Sequence, residues 1–483
     1  MFSTESVPLE QFNNNYKMTP TVSSQDLSEK GDENDLSNEN IIYGEEDFNI
    51  NSDRSSRNEA NVSYCGIKGN SELSGILNIC ASTVGAGCFT FPWIISTLGI
   101  LNATFIYLLV TICIYYSIDL LRSFVVDTKY FSFSYMTETT LGKKWLMVYS
   151  FSSFIYYLTV NINYLSLLYS IFKSSFVSHS TFYGFIFILV TCSLEIFLCL
   201  YTSKTAKINL FSLITMFNYA IIVFVTVIEG FHSSIKNEYI SKKFSKEYWI
   251  SPSADGVTVF FASITAIIKY IYAYSYHSSF PTLIGNLKNV NDTNSKKVHN
   301  ISFIIIAVTY FLIGFFGYLL RENVSTVLFR EYEDSSQGDY FTIAIKFILF
   351  FFLFSLIPSR YIVIRDGYNS LIGKEKMTYK KDLLITVLGF LFSNGLVFMS
   401  EELFVTGGII EIDIFSIMVY IFGGLFGVII AFGLPVINYA AVNGKRKIKS
   451  LIGYAVTGLF LIIGLISFGY SFNEMFVKRE TNE

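Results

Sequence analysis

Gly85, Ala86 and Gly87, followed by Pro92, interrupt the otherwise apolar run GILNICASTVGAGCFTFPWIISTLG. Each glycine weakens a helix by about 1 kcal/mol relative to alanine and leaves the backbone bare to close approach. Proline withdraws an amide donor and clashes with the preceding turn. A second run, FFASITAIIKYIYAYSYHSSFPTLIGNLKN, stays apolar until Tyr272, Tyr274, Ser275, Tyr276, His277, Ser278 and Ser279, and then meets Pro281. Backbone groups freed at such breaks inside hydrocarbon must face protein, water or a ligand. The chemistry on offer is recognition: a half-helix N-terminus attracts an anionic group and freed carbonyls attract a cationic one. The candidate contacts are Thr83, Val84, Gly85, Ala86 and Gly87 in the first run, and Tyr272, Tyr274, Ser275 and His277 in the second. Small-residue packing accounts for the glycines equally well, and aromatic rows on membrane helices commonly pack.

Titratable residues inside apolar sequence are few. Lys269 lies eight residues before His277, and a charge at that depth is costly unless paired or hydrated. It stands in for a coupling cation or meets an acidic solute; alternatively it pairs with Glu195 or Glu229, or reaches a wet vestibule. His277, with an unperturbed pKa of about 6.5, suits a proton relay, and the alternative is a hydrogen-bonded gate or core histidine. Asp119 and Arg122 are expected to pair, while Glu411 and Asp413 open a later apolar run as a solvated mouth or cap. Six cysteines show no CxxC or CxxH spacing and read as small buried hydrophobes. No metal site or cofactor is expected. HExxH, GxSxG, Walker and dinucleotide motifs are absent from the sequence, which disfavours an enzyme, and no basic stripe suggests nucleic acid.

The elements that position these residues follow from composition. The chain is 52% hydrophobic, 17% aromatic and 15% charged, against roughly 25% charged in soluble domains. Its solvent is a lipid bilayer. A span needs ~20 apolar residues, and eleven stretches qualify, with ten or twelve as alternative counts. They lie at about 74–97, 100–122, 145–172, 182–201, 208–230, 256–284, 300–320, 341–364, 383–400, 409–439 and 449–471. Spans 1–5 (about 74–230) and 6–10 (about 256–439) make two halves, and span 11 (about 449–471) follows. Interruptions at the first member of each half predict an all-α integral membrane fold: a five-plus-five inverted repeat, with spans 1 and 6 broken at a midplane site.

Lysine and arginine number 19 on one set of loops and 9 on the other, which predicts a cytoplasmic N-terminus and an external C-terminus. Residues 1–70 hold 13 acidic and 5 basic residues, a charge of −8, leaving +5 on the other 413. Rich in Asn, Ser and Glu, this stretch reads as a disordered acidic cytoplasmic tail, without the apolar core of a signal peptide. Residues 71–483 form the transmembrane domain.

NICASTVGAGCFTFPWIISTLG resembles the first helix of the amino acid/auxin permease family, within the amino-acid–polyamine–organocation superfamily. YAYSYHSSFPTLIGNLKN resembles its sixth helix, IPSRYIVIRD the end of its eighth, and FGGLFGVIIAFGLPVINY its tenth. The likeness covers roughly 70–472, with the segments in the family's order. It implies a secondary transporter that moves an amino acid by alternating access, as a symporter with sodium or protons or without coupling. The carboxylate would sit at the Gly85–Gly87 amides and the amino group at span 6. The membrane would be the plasma membrane or that of a vacuole- or lysosome-like organelle. The chain departs from the pattern of sodium-coupled members at Ala81, where they place an amide, and at Leu356, where they place a hydroxyl; Ser355 and Ser359 flank the latter. Proton-coupled or uncoupled movement is therefore expected, with Lys269, His277, Ser355 and Ser359 as coupling candidates. Rival readings are a transporter of the same fold for a polyamine, nucleobase or ion, and an amino-acid-sensing receptor that binds without transporting.

Overall fold

The computed structural model describes residues 70–175, 181–201, 205–236, 243–245, 249, 255–328, 340–372, 379–399, 419–444 and 447–480. The acidic stretch up to residue 69, Glu411 and Asp413 lie outside these residues, as do the side chains of Ser359, Arg365 and Asp366.

Span 1 comprises α1 (Glu72–Thr83), a 3₁₀ turn (Ala86–Thr90) and α2 (Phe91–Leu98). Spans 2 and 3 are α3 (Ile100–Thr128) and α5 (Lys143–Ser175), with an unanticipated short helix α4 (Phe133–Leu141) between them. Spans 4 and 5 are α6 (Thr181–Tyr201) and α7 (Thr205–Lys236). Span 6 comprises α8 (Gly256–Ala273) and α9 (Phe280–Gly285); span 7 is α10 (Asp292–Leu319), span 8 is α11 (Tyr340–Ile372) and span 9 is α12 (Tyr379–Phe398). Span 10 is described from Val419 as two π-helical segments (Val419–Gly427, Ile429–Gly433) leading into α13 (Leu434–Asn443), and span 11 is α14 (Ile448–Glu480). Among the described residues eight helices are long and apolar enough to cross a membrane, nine if the bent pair of span 1 counts as one. Helices α5 and α12 also stand where spans are expected but fall outside that measure.

Local chemistry fixes several boundaries. Asp255 caps α8 by accepting from the Val257 and Thr258 amides, both at 3.2 Å. Asn291 caps α10 by accepting from the Asn294 amide at 2.7 Å, which starts span 7 well before the expected 300. Pro358 lies inside α11 without ending it. The outer surface carries exposed Phe105, Ile112, Phe197, Phe217, Phe224 and Ile462, side chains that only lipid accommodates at this density. The chain is a multi-pass membrane protein.

Packing expresses the repeat. The first half of span 1, α1, packs on the second half of span 6, α9, while the 3₁₀ turn and α2 pack on α8. Two broken helices thus run side by side in opposite senses, as an inverted pair requires. Asn70, just before α1, joins the end of α9: its amide donates to Asn286 O at 2.8 Å and its carbonyl accepts from the Lys288 amide at 3.0 Å. Helices α5, α6, α11 and α12 pack mutually, and α10 packs on α1, α2 and α3.

Candidate functional site

Both breaks form where the sequence places them. Helix α1 closes at Thr83, and Val84 N donates to Cys80 O at 2.8 Å. Gly85 is extended (φ −161) before the 3₁₀ turn begins, and the two halves of span 1 meet at 51°. Pro92 sits in the first turn of α2, where a missing amide costs little. Helix α8 stops at Ala273, and Tyr274 to Ser279 run irregularly before α9. The Tyr310 hydroxyl from α10 lies 3.1 Å from Thr83 O and 3.0 Å from Ala273 O. One donor thus spans the last carbonyls of both leading half-helices.

A small cavity of about 10 Å³, room for about one water, lies between the breaks. Thr83, Gly85, Gly87, Tyr272, Ala273 and Ser275 line it from spans 1 and 6, and Tyr156, Val160, Tyr164 and Arg360 from α5 and α11. Five sequence candidates therefore converge: Thr83, Gly85, Gly87, Tyr272 and Ser275. Val84 and Ala86 are buried at the break but do not line the cavity.

The two glycines of the triplet serve different contacts. A Cβ on Gly85 would stand 2.3 Å from the Tyr164 hydroxyl, whereas one on Gly87 would stand 2.9 Å from the Ala273 backbone. The first glycine opens the cavity and the second lets spans 1 and 6 touch. Tyr164 lines the same wall as Arg360. Tyr156 donates to Tyr272 O at 3.0 Å, and Asn163 Nδ2 donates to the Tyr272 hydroxyl at 2.8 Å.

The remaining candidates lie elsewhere. Tyr274 turns towards α3 and α10, with its hydroxyl 2.7 Å from that of Tyr107 and its ring stacked on Phe303. His277 is fully buried beside Tyr276. A second buried histidine, His299 of α10, stacks on Tyr115 and meets the Phe280 edge. Lys269 holds its Nζ 3.8 Å from the centre of the Trp93 ring, a cation–π contact. Glu195 accepts from Asn394 Nδ2 at 3.1 Å. Ser355 donates to Phe352 O and contacts the Thr215 hydroxyl, both at 2.8 Å. Arg122 pairs as expected with Asp119 at 2.8 Å and additionally with Asp292 at 2.5 Å.

Arg360 is a correction to the loop census. It stands within α11, 5% exposed, and its Nη2 donates to Val84 O at 3.3 Å. Its position just past Pro358, where the apolar run was expected to end soon after, disguised it as a loop cation. The α5 contribution had a readable signal: Tyr156, Val160 and Tyr164 recur every four residues and share one helix face.

A family model described as transmembrane amino acid transporter protein matches residues 68–477. The chain belongs to the transmembrane amino acid transporter family. Members of this family are secondary transporters, and the matched region takes in both breaks and Arg360. A solved mutant of the manganese transporter of Eremococcus coleocola shares the fold, at 11% identity and a TM-score of 0.53, over 87% of this chain and 89% of that one. A sodium-coupled sialic acid symporter in its substrate-bound outward-open state is 13% identical with a TM-score of 0.49, over 85% and 92% of the two chains.

Proposed function

We propose that this transporter carries amino acids across its membrane by alternating access, with the site at the paired breaks of spans 1 and 6. The observation that carries this reading is the convergence of Gly85, Gly87, Tyr272 and Ser275 on one cavity. The amides that open the second half of span 1 receive the substrate carboxylate, since they begin a helix without intrahelical partners. The Ser275 hydroxyl and the backbone at the end of α8 receive the amino group. Both ends of an amino acid are met by groups that a broken helix leaves available. Spans 1 and 6, joined by α9 and Asn70, rock against α5, α6, α11 and α12. Movement is proton-coupled or uncoupled, with His277 as the candidate proton carrier. The N-terminus faces the cytosol, and the membrane is the plasma membrane or that of a vacuole- or lysosome-like organelle.

The test is uptake into vesicles containing the reconstituted full chain, competed by a panel of amino acids, polyamines, nucleobases and metal ions. Saturable uptake blocked by amino acids alone supports the proposal. Uptake blocked only by another class overturns the substrate, and amino-acid binding without flux makes the chain a receptor.

A further inference from the structure

Arg360 brings a full positive charge into the cavity wall, and among the described residues no acidic side chain in that wall cancels it. The guanidinium is buried, with one hydrogen bond from Nη2 to Val84 O at 3.3 Å. Its Nε finds no hydrogen-bond partner among the described residues. The groups that face it are Tyr156, Tyr157 and Tyr164 of α5 and the backbone of the span 1 break. Among the described residues no Asp or Glu lines the cavity. A guanidinium does not shed its proton in a protein, so this site carries its charge at every physiological pH. A buried cation is tolerated where an anion pairs with it, and removing that anion is strongly unfavourable.

We infer that the preferred substrate is an amino acid of net charge −1, whose second carboxylate engages Arg360. This rests on the amino-acid reading above and narrows it. A neutral amino acid brings one carboxylate and one ammonium, so the loaded cavity still holds a net positive charge. An acidic amino acid brings two carboxylates and one ammonium, which leaves the loaded cavity neutral. In a low-dielectric interior that difference favours the acidic substrate. The geometry agrees with the charge count. Arg360 Nη2 lies 3.7 Å from the position a Gly85 Cβ would occupy, beside the amides proposed to take the α-carboxylate, so the guanidinium and those amides face the same break. A planar fork of donors also suits a carboxylate better than a hydroxyl or amide. Lys269, the sequence candidate for this contact, is not among the residues lining the cavity.

Glutamate and glutamine differ in this charge at nearly constant shape, so they isolate it. The experiment measures uptake of labelled glutamate and labelled glutamine by the full chain in liposomes, with aspartate, asparagine, leucine and a monocarboxylate lacking an ammonium group as competitors. The expected result is that glutamate and aspartate compete at least roughly tenfold better than glutamine and asparagine. Arg360→Gln should abolish that preference, and Arg360→Lys, which keeps the charge, should keep part of it. If glutamine and leucine compete as well as glutamate while uptake proceeds, the charge assignment is overturned and the amino-acid reading stands. A monocarboxylate competing as well as glutamate also overturns it, because the ammonium site is then idle. If no amino acid is taken up, the broader reading fails instead. Should Arg360→Gln not fold, the wild-type ratios and the lysine variant still decide.

Discussion

Arg360 donates to the carbonyl of Val84 across 3.3 Å, which ties α11 to the residue where α1 stops. That contact crosses between the α5, α6, α11 and α12 group and the broken pair. Any rocking of span 1 against α11 must break or redirect it. The cavity's fixed charge and the wall that the proposed rocking would move are therefore connected by this hydrogen bond, and charge-assisted bonds of this kind are worth about 1.5–3 kcal/mol.

Tyr310 makes the matching connection between the two breaks. Its hydroxyl reaches Thr83 O and Ala273 O at 3.1 and 3.0 Å. Tyr310→Phe keeps the ring but removes that donor, at a cost of about 1–3 kcal/mol for the carbonyls left behind. Lower thermal stability in detergent and slower uptake are the expected results. Wild-type values for both would mean that the hydroxyl does not couple the breaks.

The glycines of the triplet should separate experimentally. Gly85→Ala places a methyl against the Tyr164 hydroxyl, so folded protein without uptake is expected, with partial recovery on adding Tyr164→Phe. Gly87→Ala meets the Ala273 backbone, which cannot swing aside, and folded yield should fall. Surface expression measured beside uptake distinguishes the two, and identical behaviour of both variants would refute the division.

The breaks were legible in the sequence because glycine, proline and clustered hydroxyls stand out against apolar runs. The far wall was not. Tyr156 and Tyr164 share a periodic face, but on an aromatic-rich membrane helix such a face looks the same whether it packs or binds. Arg360 was hidden by a hydropathy argument: an arginine just after a proline reads as the end of a span, yet α11 runs through Pro358 to Ile372. His299 stood outside the expected span because the first turns of α10 are polar and the helix starts at Asp292. Residues whose side chains point into a cavity carry no different local pattern from residues that point into a core.

Arg122 holds one end of the bundle together. Its side chain is 6% exposed and pairs with Asp119 and Asp292, the latter 69% exposed, so solvent screening discounts much of the second pair. Arg122→Gln is expected to cost about 1–2 kcal/mol and to make that end more accessible to thiol reagents at an engineered cysteine beside Ser295. Unchanged stability and labelling would show that the cluster is incidental.

The lysine and arginine asymmetry survives the relocation of Arg360, since 18 against 9 remains after removing one from the 19 counted. A tag at Lys30 should be reachable only from the cytosol and one after Glu483 only from outside. Both tags on the same side would exclude an odd number of spans.

Sodium should be dispensable for uptake. A dehydrated sodium ion needs several oxygens held close, and the pattern of the sodium-coupled members that this chain resembles supplies them from the break of span 1 and the middle of span 8. Here Ala81 and Leu356 are both buried apolar residues where that pattern places an amide and a hydroxyl. The nearest substitutes are oriented by other contacts: Asn78 Nδ2 donates to Asn209 Oδ1 at 2.8 Å, and the Ser355 hydroxyl donates to Phe352 O and contacts the Thr215 hydroxyl. The Val84 carbonyl accepts from Arg360, so a tethered cation already occupies the backbone oxygen that an ion would approach. A second positive charge beside the guanidinium would be repelled as well as under-coordinated, and each missing oxygen leaves desolvation unmet. The measurement is uptake into vesicles with sodium replaced by choline, at constant pH and across an imposed pH gradient. Full uptake in choline is expected, with or without acceleration by the gradient. Uptake that collapses in choline and ignores the gradient would show that sodium binds despite Arg360, and Arg360→Gln would then be expected to tighten its apparent affinity.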